Sequence, residues 1–212
     1  MMQRRTLAAW MLATSAMWMA GPVGAQAAVE TPDALVKRLS ADVLETIKAD
    51  PELRNGNIAR ISQLVDTVVM PHVNFRKMTS AAVGPMWRQA TPEQRERLQQ
   101  EFKNMLIRTY AGALKQVSDE RVEVKPLRAA PGDTDVLVRT EVIGKGEPVQ
   151  LDFRVENGDG KGWKIYNMNV LGVWMVETYR TQFAQELNKG GIDGLIQALA
   201  NRTMSLEAKN AK

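Results

Sequence analysis

The sequence predicts an α+β protein: a mainly antiparallel sheet of about four strands between N-terminal and C-terminal helices. Three observations predict it. First, Val149, Leu151, Phe153 and Val155 alternate with Gln150, Asp152, Arg154 and Glu156, and Val136, Val138, Thr140 and Val142 fall on one face of the run before them. Such alternation marks an antiparallel sheet with one dry face. Second, Thr91-Pro92-Glu93-Gln94 combines an N-cap, a proline at the first helical position and a capping-box glutamine, so it opens a helix. Third, Gly172 leads into Val173-Trp174-Met175-Val176 and on through Tyr179 and Phe183, a helix start apolar around most of its first turn. A helix apolar on more than one side is buried on more than one side. Two readings stay open: a well-filled core, or a core opened to hold an apolar guest.

The elements follow in order. Thr31-Pro32-Asp33 starts a helix with Leu35, Val36, Leu39, Val43, Leu44 and Ile47 as its buried stripe, ended by Asp50-Pro51. A second amphipathic helix runs from Ile58 to Val69, with Ile61, Leu64, Val65 and Val68 inward, and Met70-Pro71 stops it. One or two short helices between Pro71 and Pro92 carry Phe75, Met78, Val83 and Trp87. The helix opened by Thr91 presents Leu98, Phe102, Met105, Leu106, Tyr110, Ala113, Leu114 and Val117 on one face. Its charge run, Glu93 to Gln100, reads as a solvated face.

The predicted strands are Val122–Lys125, Thr134–Val142, Pro148–Glu156 and Trp163–Val170, with turns at Pro131-Gly132-Asp133, Gly144-Lys145-Gly146 and Asn157-Gly158-Asp159-Gly160. In the last strand the alternation is less clean, since Trp163 and Ile165 share a face with Asn167 and Asn169. After Phe183, Gly190-Gly191 breaks the chain. A last helix uses Ile192, Leu195, Ile196 and Leu199, and a polar tail from Ser205 to Lys212 is expected to fray.

Residues 1–27 read as a secretory signal peptide: Arg4 and Arg5, a short apolar run from Leu7 to Ala20, and Ala25-Gln26-Ala27 as a small-x-small cleavage site. Cleavage is expected after Ala27, and the paired arginines leave general and twin-arginine export both open. The remainder, 28–212, has the length of one domain. Two of the 28 basic residues and none of the 24 acids precede residue 28, so the remainder carries a formal charge of +2. That is not a nucleic-acid balance. With no cysteine, thiol catalysis and a lipid-anchored N-terminus are both excluded.

Reactive chemistry is sparse. His72 is the single histidine, so metal sites built from several imidazoles or thiolates are excluded. His72 follows a proline at a helix end, no nucleophile-elbow motif is present, and a structural or surface role is the expectation. Asn157-Gly158-Asp159-Gly160 begins like a calcium loop, but Met168 stands where the bidentate glutamate belongs, so a hairpin turn is the reading. Acids such as Asp133 with Asp135, or Glu93 with Glu96, fall in turns or on wet helix faces. No catalytic residue, metal or cofactor is therefore assigned. Met70, Met78, Met86, Met105, Met168 and Met175 fall in or beside elements predicted to be buried. Thioethers suit an adaptable apolar surface, and equally a plain core.

The stretch Pro71, Phe75, Met78, Gly84-Pro85-Met86-Trp87-Arg88-Gln89-Ala90-Thr91-Pro92-Glu93-Gln94, then Phe102, Tyr110 and Leu114, resembles the MlaC family. So do Trp163-Lys164-Ile165-Tyr166-Asn167, Gly172-Val173, Val176, Tyr179-Arg180 and Phe183. This family is also called the toluene-tolerance auxiliary component of an ABC transporter. Asn74 and Asn167 stand where the family pattern has Asp, and Trp174 where it has a small Ser.

The resemblance implies a twisted sheet wrapped by helices, with an apolar lipid cavity between them. It implies a monomeric periplasmic phospholipid carrier working between an outer-membrane lipoprotein complex and an inner-membrane ABC transporter complex with its substrate-binding subunit. Phospholipid would be cargo, not cofactor. Candidate tail-contacting residues are then Val136, Val138, Leu151, Phe153 and Val155 on the strands, and Met168, Val170, Val173, Trp174, Val176 and Tyr179 beyond. Phe75, Met78, Trp87, Leu106 and Tyr110 would join from the helices. Ordinary core packing is the alternative for each. Two rival classes remain: a docking module with a solid core, and a phospholipase that would depend on His72.

Overall fold

The computed structural model describes residues 30–158 and 160–210. The predicted signal peptide lies outside the described residues. α1 (Pro32–Ala49) has Pro32 at its first position, Asp33 in its first turn and Lys48 in its last, and Thr31 stands at the N-cap, but its hydroxyl makes none of the capping hydrogen bonds expected of it. Leu35, Val36, Leu39 and Ile47 are buried, but Val43 and Leu44 are only half-buried. Asp50 both ends α1 and caps an unanticipated single turn, α2 (Pro51–Arg54), by accepting from the Glu52 N–H at 2.8 Å. α3 (Ile58–Leu64), capped by Asn57, is shorter than predicted. The chain widens into a π-helical turn at Val65–Val69, and a 3₁₀ turn follows at Met70–His72. Pro71 has no N–H to continue an α-helical ladder, so the regular helix cannot run on through it.

Val73 then bridges β-fashion to Ile165, and the Asn74 N–H donates to the Ile165 carbonyl at 2.8 Å. Asn74 caps α4 (Phe75–Val83) through the Lys77 N–H. Gly84 closes α4 at φ 72°, ψ −146°, a region only glycine enters without strain. The predicted capping box opens α5 (Pro92–Tyr110): Thr91 and Gln94 exchange side-chain and backbone hydrogen bonds at 3.2 and 3.0 Å. Leu98, Phe102 and Met105 are buried as expected, and Ile107 is buried on a second flank against Leu53, Ile61 and Leu64. Past Tyr110 the chain tightens into 3₁₀ at Ala111–Gln116, which leaves Tyr110 and Ala113 exposed instead of on a continuous buried face.

Six antiparallel strands form the sheet: β1 (Arg121–Val124), β2 (Asp135–Val138), β3 (Thr140–Ile143), β4 (Val149–Glu156), β5 (Lys164–Val170) and β6 (Val173–Trp174). The predicted strand Thr134–Val142 is interrupted at Arg139. Both halves still pair with β4 in one frame, Val138 opposite Phe153 and Glu141 opposite Gln150. At the break the Thr140 N–H donates to the buried Asp152 carboxylate at 3.2 Å, and the Arg139 carbonyl accepts from Lys125. The predicted dry face holds, with Val136 opposite Val155.

The irregular alternation of β5 has a definite cause. Val155 pairs with Ile165 and Arg154 with Asn167, so Tyr166 is an extra residue, a β-bulge. The bulge puts Ile165 and Met168 on one face, opposite Val155 and Phe153. Ile165 therefore does not share a face with Asn167 and Asn169 as the plain period-two reading required. Leu171 and Gly172, at φ 52° and 86°, then turn the chain back. Val173 and Trp174 pair onto β5 as β6 instead of beginning the helix.

α6 (Met175–Asn210) is interrupted where the sequence predicts, with Gly191 at φ 62°, ψ −155°. The tail does not fray at Ser205. It stays helical to Asn210, because Leu206 packs on the core and Glu207 pairs with Arg108. Three buried clusters result. α1 covers the dry sheet face. Phe102 meets Tyr179 and Phe183 edge-on, at 4.9 and 5.1 Å, between α5 and α6. Ile47, Leu53, Ile61, Leu64 and Ile107 form the third.

Replacing Gly191 by alanine is expected to destabilise the fold by about 1–3 kcal/mol, since no other residue takes that backbone without strain. Urea unfolding followed by circular dichroism measures it. An unchanged midpoint would show that the two limbs of α6 can join in another conformation.

Candidate functional site: an apolar cavity between sheet and helices

The three clusters do not close on one another. Between them lies an opening of about 440 Å³. Leu151, Phe153, Ile165 and Met168 form its sheet side, available together because of the Tyr166 bulge. α1 contributes Leu39, Val43, Leu44 and Ile47, and α3 with the π-turn contributes Ile61, Leu64, Val65 and Val69. Met70, Phe75 and Met78 come from the next segment, and Phe102, Leu106 and Tyr110 from α5. Met175 and Val176 come from the first turn of α6, and Val122 and Val142 from the far strands. Val43 and Leu44 are half-buried and both border this space, Val43 while also packing against the cluster beneath α1 and the one around Ile47.

Polar groups are few. Lys103 lines the cavity but pairs with Asp66 at 2.6 Å, and the Tyr110 hydroxyl donates to the Met175 sulfur at 3.3 Å. Among the described residues no group of histidine, cysteine or carboxylate side chains could hold a metal. His72 lies outside the cavity lining, and burial, then the charges of Arg38 and Lys164, push its imidazole below the usual range.

The residues predicted from the sequence divide into those at the cavity and those elsewhere. Phe75, Met78, Leu106, Tyr110, Leu151, Phe153, Met168 and Val176 line it. Val136, Val138 and Val155 do not. They are packed beneath α1, with Val155 at 0% exposure. Tyr179 sits in the aromatic cluster around Phe102, where burial, with Tyr110 nearby, holds its phenol well above the usual range. Trp87 lies on a separate groove. Val170 is half-buried at the end of β5, outside the lining, and Val173 is exposed on the hairpin. Trp174 is under Arg154, whose guanidinium is 5.2 Å from its ring, so it does not narrow the cavity. The hairpin turn is the reason for these last two: pairing sets Trp174 opposite Asn169, on the face away from the chamber, and leaves Val173 opposite Val170 at the exposed sheet edge.

The lining from α1 and the π-turn, together with Val122 and Val142, was missed. In the sequence those residues carry only the periodicity of a core face. Whether such a residue meets a neighbour or an open space is a tertiary property, and fully buried Leu39 and Ile47 line the cavity as half-buried Val43 and Leu44 do.

The two asparagines that depart from the family pattern do the same job twice. Asn74 accepts from the Lys77 N–H and donates to Glu156 at 2.9 Å. Asn167 accepts from the Met168 and Val176 N–H groups at 2.9 and 3.1 Å and donates to Glu177 at 2.9 Å. An aspartate keeps the capping acceptor but has no donor, and sets a second carboxylate against a glutamate.

The fold and cavity define a class: an α+β domain with an apolar chamber between one sheet face and the helices packed on it. Residues 37–201 match the family described as MlaC protein. The chain belongs to that family. The toluene tolerance protein ttg2D of Pseudomonas putida is 26% identical over 167 residues, 78% of this chain and 77% of its own. The intermembrane phospholipid transport system binding protein MlaC of Haemophilus influenzae is 26% identical over 169 residues, 78% of this chain and 79% of its own. A solved structure of the phospholipid-binding protein from Ralstonia solanacearum, in complex with a phospholipid, is 50% identical. It aligns with a TM-score of 0.80 over 82% of this chain and 98% of that one.

Two outcomes test the local chemistry. Asn167→Asp is expected to lower stability by about 1–3 kcal/mol at neutral pH, with the deficit shrinking in acid as one carboxyl of the pair takes a proton. Thermal melts across pH measure it, and a pH-independent deficit would refute the carboxylate explanation. Burial and then the Asp135 carboxylate push the Tyr166 phenol up to about 12. A free tyrosine titrates near ~10, so this contribution to stability is complete below that pH and is lost as pH rises through about 12. Tyr166→Phe is expected to flatten the alkaline limb of the stability curve, with tyrosinate absorbance as the direct readout.

Proposed function

We propose that this protein is a periplasmic phospholipid carrier, moving lipid between an outer-membrane lipoprotein complex and an inner-membrane ABC transporter complex. The observation that carries the reading is the chamber of about 440 Å³ lined almost wholly by apolar side chains. The phospholipid held by the Ralstonia relative supports the identity of the guest, and the name of the Haemophilus relative supports the transport role. The signal-like residues 1–27 support export.

The energetics suit a carrier with no chemistry of its own. Each buried CH₂ is worth about 0.8 kcal/mol, so a diacyl lipid with about thirty of them gains on the order of 24 kcal/mol over water. A bilayer offers the lipid much the same. The protein therefore only has to match the membrane, and transfer in and out runs near balance. Water between the membranes is the barrier it removes, and direction comes from the complexes at each end.

Protein purified without detergent and weighed by native mass spectrometry is expected to carry phospholipid, near one molecule per chain. Lipid-free protein that also takes none from liposomes would overturn the reading in favour of a docking module with an idle cavity. Leu106→Trp, which fills the chamber from α5, is expected to cut occupancy about tenfold, equivalent to about 1.4 kcal/mol. Val155→Trp is expected to lower folding yield instead, because Val155 has no free space beside it.

A further inference from the structure

A second groove, of about 590 Å³, lies on the other side of the first turn of α6. Its character is the opposite of the chamber's. Lys77 from α4, Arg88 from the turn after it, Arg154 from β4 and Arg180 from α6 line it, against Glu177 as the one acid in the lining. The chain as a whole has 28 basic and 24 acidic residues, so this is a local concentration of charge. Two neighbouring acids reduce it without cancelling it: Glu156 pairs with Lys77, and Asp135 accepts from the Tyr166 hydroxyl.

Arg88 and Arg180 have no side-chain hydrogen bond, ion pair or ring contact with the described residues. Arg180 passes beside Gly84. Its Nε lies 3.6 Å from where a Cβ on Gly84 would stand, and the positive φ of Gly84 keeps that residue a glycine. Arg154 rests on Trp174, and Lys77 lies 3.8 Å from the Tyr166 ring centroid. The four cations come from four different elements and border the groove, which Trp87 and Tyr166 also line. Arginine and aromatic side chains are the residues on which protein interfaces concentrate their binding energy.

We propose that this groove docks an acidic segment of a partner protein. Four cations brought to one groove by α4, the turn after it, β4 and α6, two of them without a side-chain partner among the described residues, complement several carboxylates of one peptide. Val176 lines both the groove and the apolar chamber, so a docked segment sits one side chain away from the lipid. The groove would give the proposed carrier a docking face, and apart from Val176 its lining is separate from the chamber's.

The test is fluorescence anisotropy of labelled hexaglutamate with the purified protein. Wild type is compared with R88E/R180E and with K37E/K145E, which makes the same change in net charge at exposed sites elsewhere. Wild type and the K37E/K145E control are expected to bind alike, with affinity falling as salt rises, and R88E/R180E to bind at least about tenfold more weakly. R88Q/R180Q repeats the test should the reversal fail to fold. Equal loss in both charge variants would overturn the proposal, since net charge alone would explain it. Absence of peptide binding, displacement by equimolar inorganic phosphate, or groove-dependent binding of phosphatidylglycerol vesicles in place of peptide would also overturn it. Bound phospholipid is weighed in the same samples. In the wild type, absent peptide binding with lipid present refutes only the groove, and absent lipid with peptide binding present refutes only the carrier.

Discussion

The joint between β5 and α6 sets the spacing on which the cavity depends. One side chain makes it. Asn167 takes the Met168 and Val176 N–H groups on its oxygen and gives its amide to Glu177, tying strand to helix across the hairpin. Asn167 is 2% and Val176 6% exposed, so leaving the Asn167 amide or the Val176 N–H without a partner would cost the desolvation penalty of that group. The Tyr166 bulge puts Asn167 in reach of the helix while returning Met168 to the dry face. Without the extra residue, every side chain after it would change faces.

With that joint in place the helices cover the sheet but cannot collapse onto it. α1 lies close on Val136, Val138 and Val155, and α5 and α6 close on each other around Phe102. Between these two contacts the side chains fall short of meeting. At about 24 cal/mol per Å³, an empty apolar space of about 440 Å³ would forgo at most ~10 kcal/mol, comparable to the whole stability of a domain. A fold that keeps such a space open is stabilised by whatever fills it, so stability and occupancy are linked.

The chamber and the cationic groove share Val176 as a wall. The sheet explains their contrast. A strand sends alternate residues to opposite faces, so Phe153 and Met168 enter the chamber while Arg154 and Asn167 line the groove. One sheet thereby builds an apolar site and a charged site back to back.

Local chemistry was legible in the residues. The Thr91 capping box, the alternation in β4, the proline helix starts and the glycine break in α6 all act within a few positions of themselves, and all stand where the sequence places them. Half of the residues predicted as lining do reach the cavity, because a side chain on a dry sheet face or an over-apolar helix has to be buried somewhere. What the residues did not disclose was the difference between burial against a neighbour and burial against a space. Val155 and Phe153 have the same alternation, and Val36 and Val43 sit on the same predicted helical stripe. Which of each pair packs tightly and which faces the opening depends on how far the opposite layer stands off. That distance comes from the Tyr166 bulge, the Asn167 joint and the β5–β6 hairpin, each a long-range pairing that no local pattern encodes.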